Sequence, residues 1–112
     1  MALKYKPKRG DVIWVDFDGA RGHEQRGRRP ALVMSRDIYN ARTLMAIVCP
    51  ITSRAKGYPL EVSVSLQNKK GVILADQIQS IDLSERNIEF IQRVSADTTN
   101  EIWQKLTTLV GE

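Results

Sequence analysis

This sequence predicts a mainly β fold, a small, closed or partly closed antiparallel barrel with one helix at its C-terminus. Five or more short apolar segments, separated by Gly, Pro, Asn and Ser, occupy residues 11–94, without an internal repeat or a low-complexity tract. Only beyond residue 97 does the apolar spacing change from strand to helix period. With 112 residues, 42% of them hydrophobic and 27% charged, the chain is sized for one domain, 1–112, around one modest core.

Residues 1–9 read as a basic arm, Lys4, Lys6, Lys8 and Arg9 around Tyr5 and Pro7, expected to be extended and partly mobile. A first strand is expected over Asp11–Asp18. Ile13, Val15 and Phe17 share its better core face, which leaves Trp14 for a second buried surface or an interface. Pro30 has no ladder donor and confines Arg29 to extended conformations, so it should stand at the entrance of a strand over residues 31–35. Ser35 is the expected N-cap of a short turn through Asn40. Leu44–Ile51, the most apolar segment, should be a central strand ended by Pro50 and Thr52-Ser53. Leu60, Val62, Val64 and Leu66 alternate cleanly with Glu61, Ser63 and Ser65. Asn68–Gly71 should turn into a strand over Val72–Ile78, followed by a turn at 82–86 and a final strand over Ile88–Val94. Thr98 and Glu101 fit a capping box, and Ile102, Leu106, Leu109 and Val110 recur at helical spacing. They predict a helix over 98–110, with Gly111 at its C′ position.

Composition excludes several classes. One cysteine allows neither an internal disulfide nor a cysteine-based zinc cluster. The N-terminus lacks a signal-like apolar run and nothing approaches a membrane span, so cytoplasmic residence and no membrane partner are expected. No GxGxxG, phosphate loop or HExxH is present, and no cofactor is expected. A magnesium site around Asp11, Asp16, Asp18 and Glu24 is conceivable, but Asp16 and Asp18 read more simply as solvent-facing strand ends. The net charge of +4 is unevenly spread: residues 1–56 carry 12 Lys and Arg against 5 Asp and Glu, residues 57–112 carry 5 against 8. A basic half suits a polyanion or an acidic protein partner, or is simply a soluble surface.

Between the first two apolar runs, Gly19, Gly22 and Gly27 are interleaved with His23, Glu24, Gln25, Arg26, Arg28 and Arg29. A connection that long is usually mobile or functional. The run GDVIWVDFD followed by GHEQRGRRPALV resembles the MazF/PemK family of toxin endoribonucleases from toxin–antitoxin pairs. Val48–Ser53, Lys56-Gly57-Tyr58-Pro59 and Gly71–Ile78 follow in matching order and distance, so the resemblance spans nearly the whole chain. It implies an SH3-like barrel with a C-terminal helix and cleavage of single-stranded mRNA. It also implies a homodimer and an antitoxin whose acidic, flexible C-terminal tail blocks the RNA groove.

The residues themselves allow metal-free chemistry. RNA is cut when its own 2′-hydroxyl attacks the adjacent phosphate, leaving a 2′,3′-cyclic phosphate and a 5′-hydroxyl. A protein need only align the backbone, stabilise the phosphorane and move protons. The guanidinium of Arg29 suits two phosphate oxygens, and the Thr52 hydroxyl can donate to another. The resemblance makes Arg29 and Thr52 the catalytic residues, Arg29 acting mainly by charge stabilisation. Another branch of the family uses an arginine where this chain has Leu74, together with the aspartate matching Asp76 and a loop histidine that His23 does not clearly match. The assignment therefore follows the MazF-like branch. Glu24 and Asp76 are supporting candidates, Glu24 by orienting Arg29 or touching a base. Arg26, Arg54 and Lys56 are candidate phosphate contacts, Ser53 lies beside them, Gln25 and Gln77 can read base edges, and Tyr58 or Trp14 can stack a base. Structural alternatives remain: Arg29 clamping Glu24, Thr52 as a strand-end hydroxyl, and Asp76-Gln77 as a buried pair that orders loops. Two rival functions are a gyrase-poisoning toxin of the related CcdB type, with the same barrel, and a non-catalytic nucleic-acid or protein-binding module.

Overall fold

Alternating side chains place apolar residues on both faces of a strongly curved sheet. The computed structural model describes residues 5–17 and 27–111. In chain order the elements are β1 (Asp11–Asp16), β2 (Arg28–Val33), α1 (Asp37–Thr43), β3 (Met45–Thr52), β4 (Glu61–Leu66), β5 (Lys69–Leu74), a 3-10 turn at Ala75–Gln77, β6 (Gln79–Asp82), β7 (Glu89–Arg93) and α2 (Ala96–Val110). The strands form one antiparallel sheet in the order β4-β5-β3-β2-β1-β7. β3 is shared on one edge: Met45–Val48 pairs with β6, while Ile51 and Thr52 pair with β5. The two ends of the strand order meet through a side chain. Gln92 on β7 accepts from Gln67 N at 3.1 Å and donates to Ser65 O at 2.9 Å. The expected small barrel with a C-terminal helix is the architecture found, curled into a half-barrel.

The sheet holds two cores. Val12, Leu32, Met34, Cys49 and Ile51 meet Val62, Ile73 and the α2 residues Ile102 and Leu106. Ile13, Val15, Ala31, Val33, Ala46 and Val48 meet Ile81 and Leu83 on the opposite face. The second buried surface expected on β1 exists but takes Val12 and not Trp14: the helix covers that face, and the β6 segment with the chain after it closes the Ile13/Val15 face. Along β2 and β3 this burial on both sides turns alternation into continuous apolar runs.

Several boundaries differ from expectation for local reasons. β2 begins at Arg28, three residues early, because Asp16 to Val12 pair in register with Arg28 to Leu32. Pro30 is tolerated since the β2–β3 ladder begins only at Ala31, opposite Pro50. β3 runs through Pro50 to Thr52. The turn between β4 and β5 is Gln67-Asn68, with φ of 49° and 72°, the geometry that matches the twist of a two-residue hairpin. Lys69–Gly71 thus belongs to β5, which ends at Leu74 and leaves residues 75–77 to the 3-10 turn. Ser35 does not cap α1. Its hydroxyl bonds Asn40 and accepts from Ile47 N, and α1 starts after Arg36. α2 starts two residues before Thr98, after Ser95, and neither end shows the expected cap. Gly111 has φ −84° and is extended; a Cβ there would lie 2.5 Å from Thr107 O, so close approach and not a left-handed backbone requires glycine.

Residues 5–9 of the arm are held, contrary to expectation. The nearly buried Asp11 carboxylate accepts from the Tyr5 hydroxyl, from Lys8 N at 3.0 Å and from Arg93 at 2.7 Å. Pro7 is fully buried and Tyr5 meets Phe90 edge-on at 5.7 Å. Burial and the bond to Asp11 push the Tyr5 hydroxyl well above its ordinary value of 10.0.

Candidate active site

β3 carries the site to one end of the barrel. Its ladder with β2 pairs Ala31 with Pro50, Leu32 with Cys49 and Val33 with Val48. Continued two residues past the last bonded pair, that register sets Arg29 against Thr52. Between their strands and β5 opens a groove of about 630 Å³, a size common for ligand sites. Arg29, Thr52, Ser53, Arg54, Lys56, Tyr58 and Gln77 all line it. Seven residues singled out from the sequence thus converge, although they come from β2, β3, the following loop and the 3-10 turn.

Local chemistry positions each one. Arg29 is exposed and extended on β2, opposite Val15 of β1. Thr52 is partly buried, and its Oγ1 accepts from Arg54 N at 3.1 Å. That bond occupies an acceptor and leaves the O–H free to donate, so the strand-end and catalytic roles of Thr52 are compatible. Gly71 passes beside it on β5; a Cβ there would lie 3.1 Å from Thr52 O. Glycine lets the two backbones approach closely.

The loop from Ser53 to Leu60 turns at Gly57, whose φ of +81° is in the region that favours glycine. Glu61 grips this turn, accepting from Lys56 N at 2.8 Å and Gly57 N at 3.0 Å. Tyr58 donates its hydroxyl to Asp76 Oδ1 at 3.1 Å; partial desolvation and that bond raise its pKa. Asp76 and Gln77 are both exposed, so the reading of them as a buried pair is corrected: the 3-10 turn points them out of the core. Asp76 stands behind Tyr58 and is not among the residues lining the groove.

Glu24, Gln25 and Arg26, with His23, lie outside the described residues, and so does any Arg29–Glu24 clamp. The described ends of their loop are joined: Phe17 N donates to Gly27 O at 2.8 Å, and Arg86 donates to Asp16 O at 3.0 Å. Among the described residues no group of three or more His, Cys, Asp or Glu could hold a metal ion. Glu61 and Leu74 are groove residues that sequence reasoning missed. Glu61 read as one of several outward positions on an alternating strand, and nothing local set it apart from Ser63 or Ser65.

A second cavity, about 290 Å³ and largely apolar, adjoins the groove and shares Pro30, Ile51, Thr52 and Ser53 with it. Trp14 lines it with Leu66 and Ile91, and Lys69 and Lys70 stand at its margin. Trp14 therefore belongs to neither core. The Arg28 guanidinium lies 5.7 Å from its ring centre while pairing with Glu89 at 2.7 Å.

Known proteins are similar to this chain along most or all of its length. The endoribonuclease toxin MazF of Escherichia coli (strain K12) is 43% identical over 111 residues, 99% of this chain and 100% of that protein. Endoribonuclease PemK of Escherichia coli is 31% identical, covering 92% of this chain and 81% of its own length. MazF from Deinococcus radiodurans superposes with a TM-score of 0.85 at 44% identity, covering 97% of this chain and all of that one. A chain of a MazE-MazF complex from the same organism gives a TM-score of 0.83 at 40% identity, over 96% of this chain and 98% of the other. A family model described as PemK-like, MazF-like toxin of type II toxin-antitoxin system matches residues 8–110, and the chain belongs to that family.

Proposed function

We propose that this chain is the toxin of a type II toxin–antitoxin pair and a sequence-specific, metal-independent endoribonuclease acting on single-stranded mRNA. One observation carries the reading: Arg29 and Thr52, far apart in sequence, line a single groove beside Arg54 and Lys56. In the proposed reaction the 2′-oxygen of the RNA attacks the adjacent phosphorus as its proton passes to solvent, and the bond to the 5′-oxygen breaks as that oxygen takes a proton from water. Arg29 stabilises the charge that accumulates on the phosphorane, and Thr52 donates to a non-bridging oxygen. Arg54 and Lys56 hold flanking phosphates, while Gln77 and Tyr58 face bases, Tyr58 by stacking. Asp76 supports the site by orienting Tyr58 through its hydroxyl. Glu24 orients Arg29 or touches a base, and Gln25 and Arg26 contact RNA from the loop that precedes β2.

We read residues 1–112 as one toxin domain that works as a homodimer, in the cytoplasm. The partner is a cognate antitoxin of the MazE kind, whose acidic tail competes with RNA for the same basic groove. Cleavage of a long single-stranded RNA in excess EDTA, with the product ends mapped, tests the reading. Discrete cuts at one short motif, with cyclic phosphate and 5′-hydroxyl ends and lost in folded Arg29→Ala and Thr52→Ala, are expected. Intact RNA with the unsubstituted protein would overturn the nuclease and favour a gyrase poison or a plain binding module. Cuts that persist in both variants would overturn the site.

A further inference from the structure

A carboxylate in a groove meant for RNA phosphates is electrostatically unfavourable, yet Glu61 lines this one beside Arg29, Arg54 and Lys56. Its contacts explain the placement. Glu61 Oε2 accepts from Lys56 N at 2.8 Å and Oε1 from Gly57 N at 3.0 Å. Two consecutive amide donors are thus satisfied by one rigid fork, a charge-assisted arrangement stronger than two neutral bonds. Glu61 N in turn donates to Tyr58 O at 3.2 Å, closing the turn from the other side. Gly57, between Lys56 and Tyr58, has φ +81°, a backbone state that the turn needs and that a free loop populates only in part. The side chains of Lys56 and Tyr58, one on each side of this glycine, both reach the groove.

We propose that Glu61 is a positioning residue for RNA binding: its carboxylate fixes the Lys56-Gly57 backbone so that Lys56 and Tyr58 are already aimed at the groove before RNA arrives. This rests on the RNA-groove reading of the site and deepens it. Preorganisation lowers the ordering cost of binding, so its loss falls on KM and not on the chemical step. Glu61 begins β4 and its partners are loop amides at the surface, so its removal leaves the barrel intact.

The test is kinetic and structural, on the full chain, with a short single-stranded RNA carrying a mapped cut. In Glu61→Ala the amide exchange of Lys56 and Gly57 should accelerate about tenfold or more, the change expected when a charge-assisted bond is lost. KM should rise about fivefold to tenfold with kcat within about twofold, as for lost uniform binding. Glu61→Gln keeps one acceptor oxygen and should fall between. Since Glu61 acts through Lys56 and Tyr58, adding Glu61→Ala to Lys56→Ala/Tyr58→Ala should raise KM no further. Independent, multiplying effects, a fall in kcat at unchanged KM, or unchanged amide exchange would each overturn the assignment. If Lys56→Ala raises KM while folded Glu61→Ala does not, Glu61 alone is excluded. If Lys56→Ala/Tyr58→Ala leaves KM unchanged, the groove reading fails and the proposal falls with it.

Discussion

Thr52 offers the sharpest separation of architecture from chemistry, because its hydroxyl makes one bond in the structure and is proposed to make another in the reaction. In Thr52→Val the side chain keeps its shape and loses the acceptor that Arg54 N uses at 3.1 Å. Arg54 is exposed, so water replaces that partner and the cost is about 0.5–1 kcal/mol. For 112 residues the unfolding entropy is about 0.24 kcal/mol per kelvin, which converts this into a fall in Tm of about 2–4 °C. The proposed bond donated to the phosphorane is a larger quantity. Removing one such donor from a site where charge develops costs about 10²–10³ in kcat, or about 2.7–4 kcal/mol. Single-turnover cleavage of a mapped RNA, beside thermal melts, reads both numbers. Expected are a kcat at least about 100-fold down in Thr52→Val, KM within about threefold, and Thr52→Ser close to wild type because it retains both bonds. A Thr52→Val protein with undiminished kcat and a Tm lowered by about 8 °C or more would show that the hydroxyl serves the strand end alone. An inactive Thr52→Ser would show that the methyl group, not the hydroxyl, is what matters.

Three further expectations follow from contacts around the site. Gly71→Ala places a Cβ 3.1 Å from Thr52 O, and the displacement should lower kcat by about tenfold while the alanine's smaller unfolded-state entropy holds Tm near wild type; an unchanged kcat would show that the strand gives way without moving Thr52. Asp11→Asn weakens a buried acceptor of three donors and should cost about 2 kcal/mol, a fall in Tm of about 8 °C; a shift under about 2 °C would mean that the arm is held without it. Burial and the charge of Asp76 push the Cys49 thiol up to about 12 from 9.0, and burial with the bond to Asp11 raises Tyr5 above 10.0. Both native groups favour the neutral form, so their contribution is complete below pH 9 and is lost as pH rises above it; Tm should hold from pH 7 to 8.5 and fall beyond 9, and a Tm constant to pH 10.5 would refute the linkage.

Much of this molecule is legible in the chain because local chemistry dictates it. Leu60 to Leu66 alternates with polar residues and forms a strand with one face turned to the core; Ile102 and Leu106 recur at helical spacing and become the buried face of α2. Arg29, Thr52 and the loop through Tyr58 are identifiable as a set only through the family resemblance that their motifs carry. Local signals failed where a second surface decided the outcome. β1 reads as having one better core face, yet Val12 and Ile13 are both fully buried in different cores, since a helix and the β6 segment cover opposite faces of one sheet. The long run ending at Ile78 reads as a single strand, but at Leu74 the chain leaves β5, and the 3-10 turn brings Asp76 out to the Tyr58 hydroxyl. Glu61 is indistinguishable in sequence from its outward neighbours on β4; only the fold carries the Lys56-Gly57 amides back to its carboxylate. Bringing Arg29 and Thr52 to one groove is likewise a matter of strand register, which depends on contacts between residues distant in sequence. The chain by itself thus determines which side chains are available and which elements present them. Tertiary structure decides which of them face one another, because register and two-sided burial are set between elements and not within them.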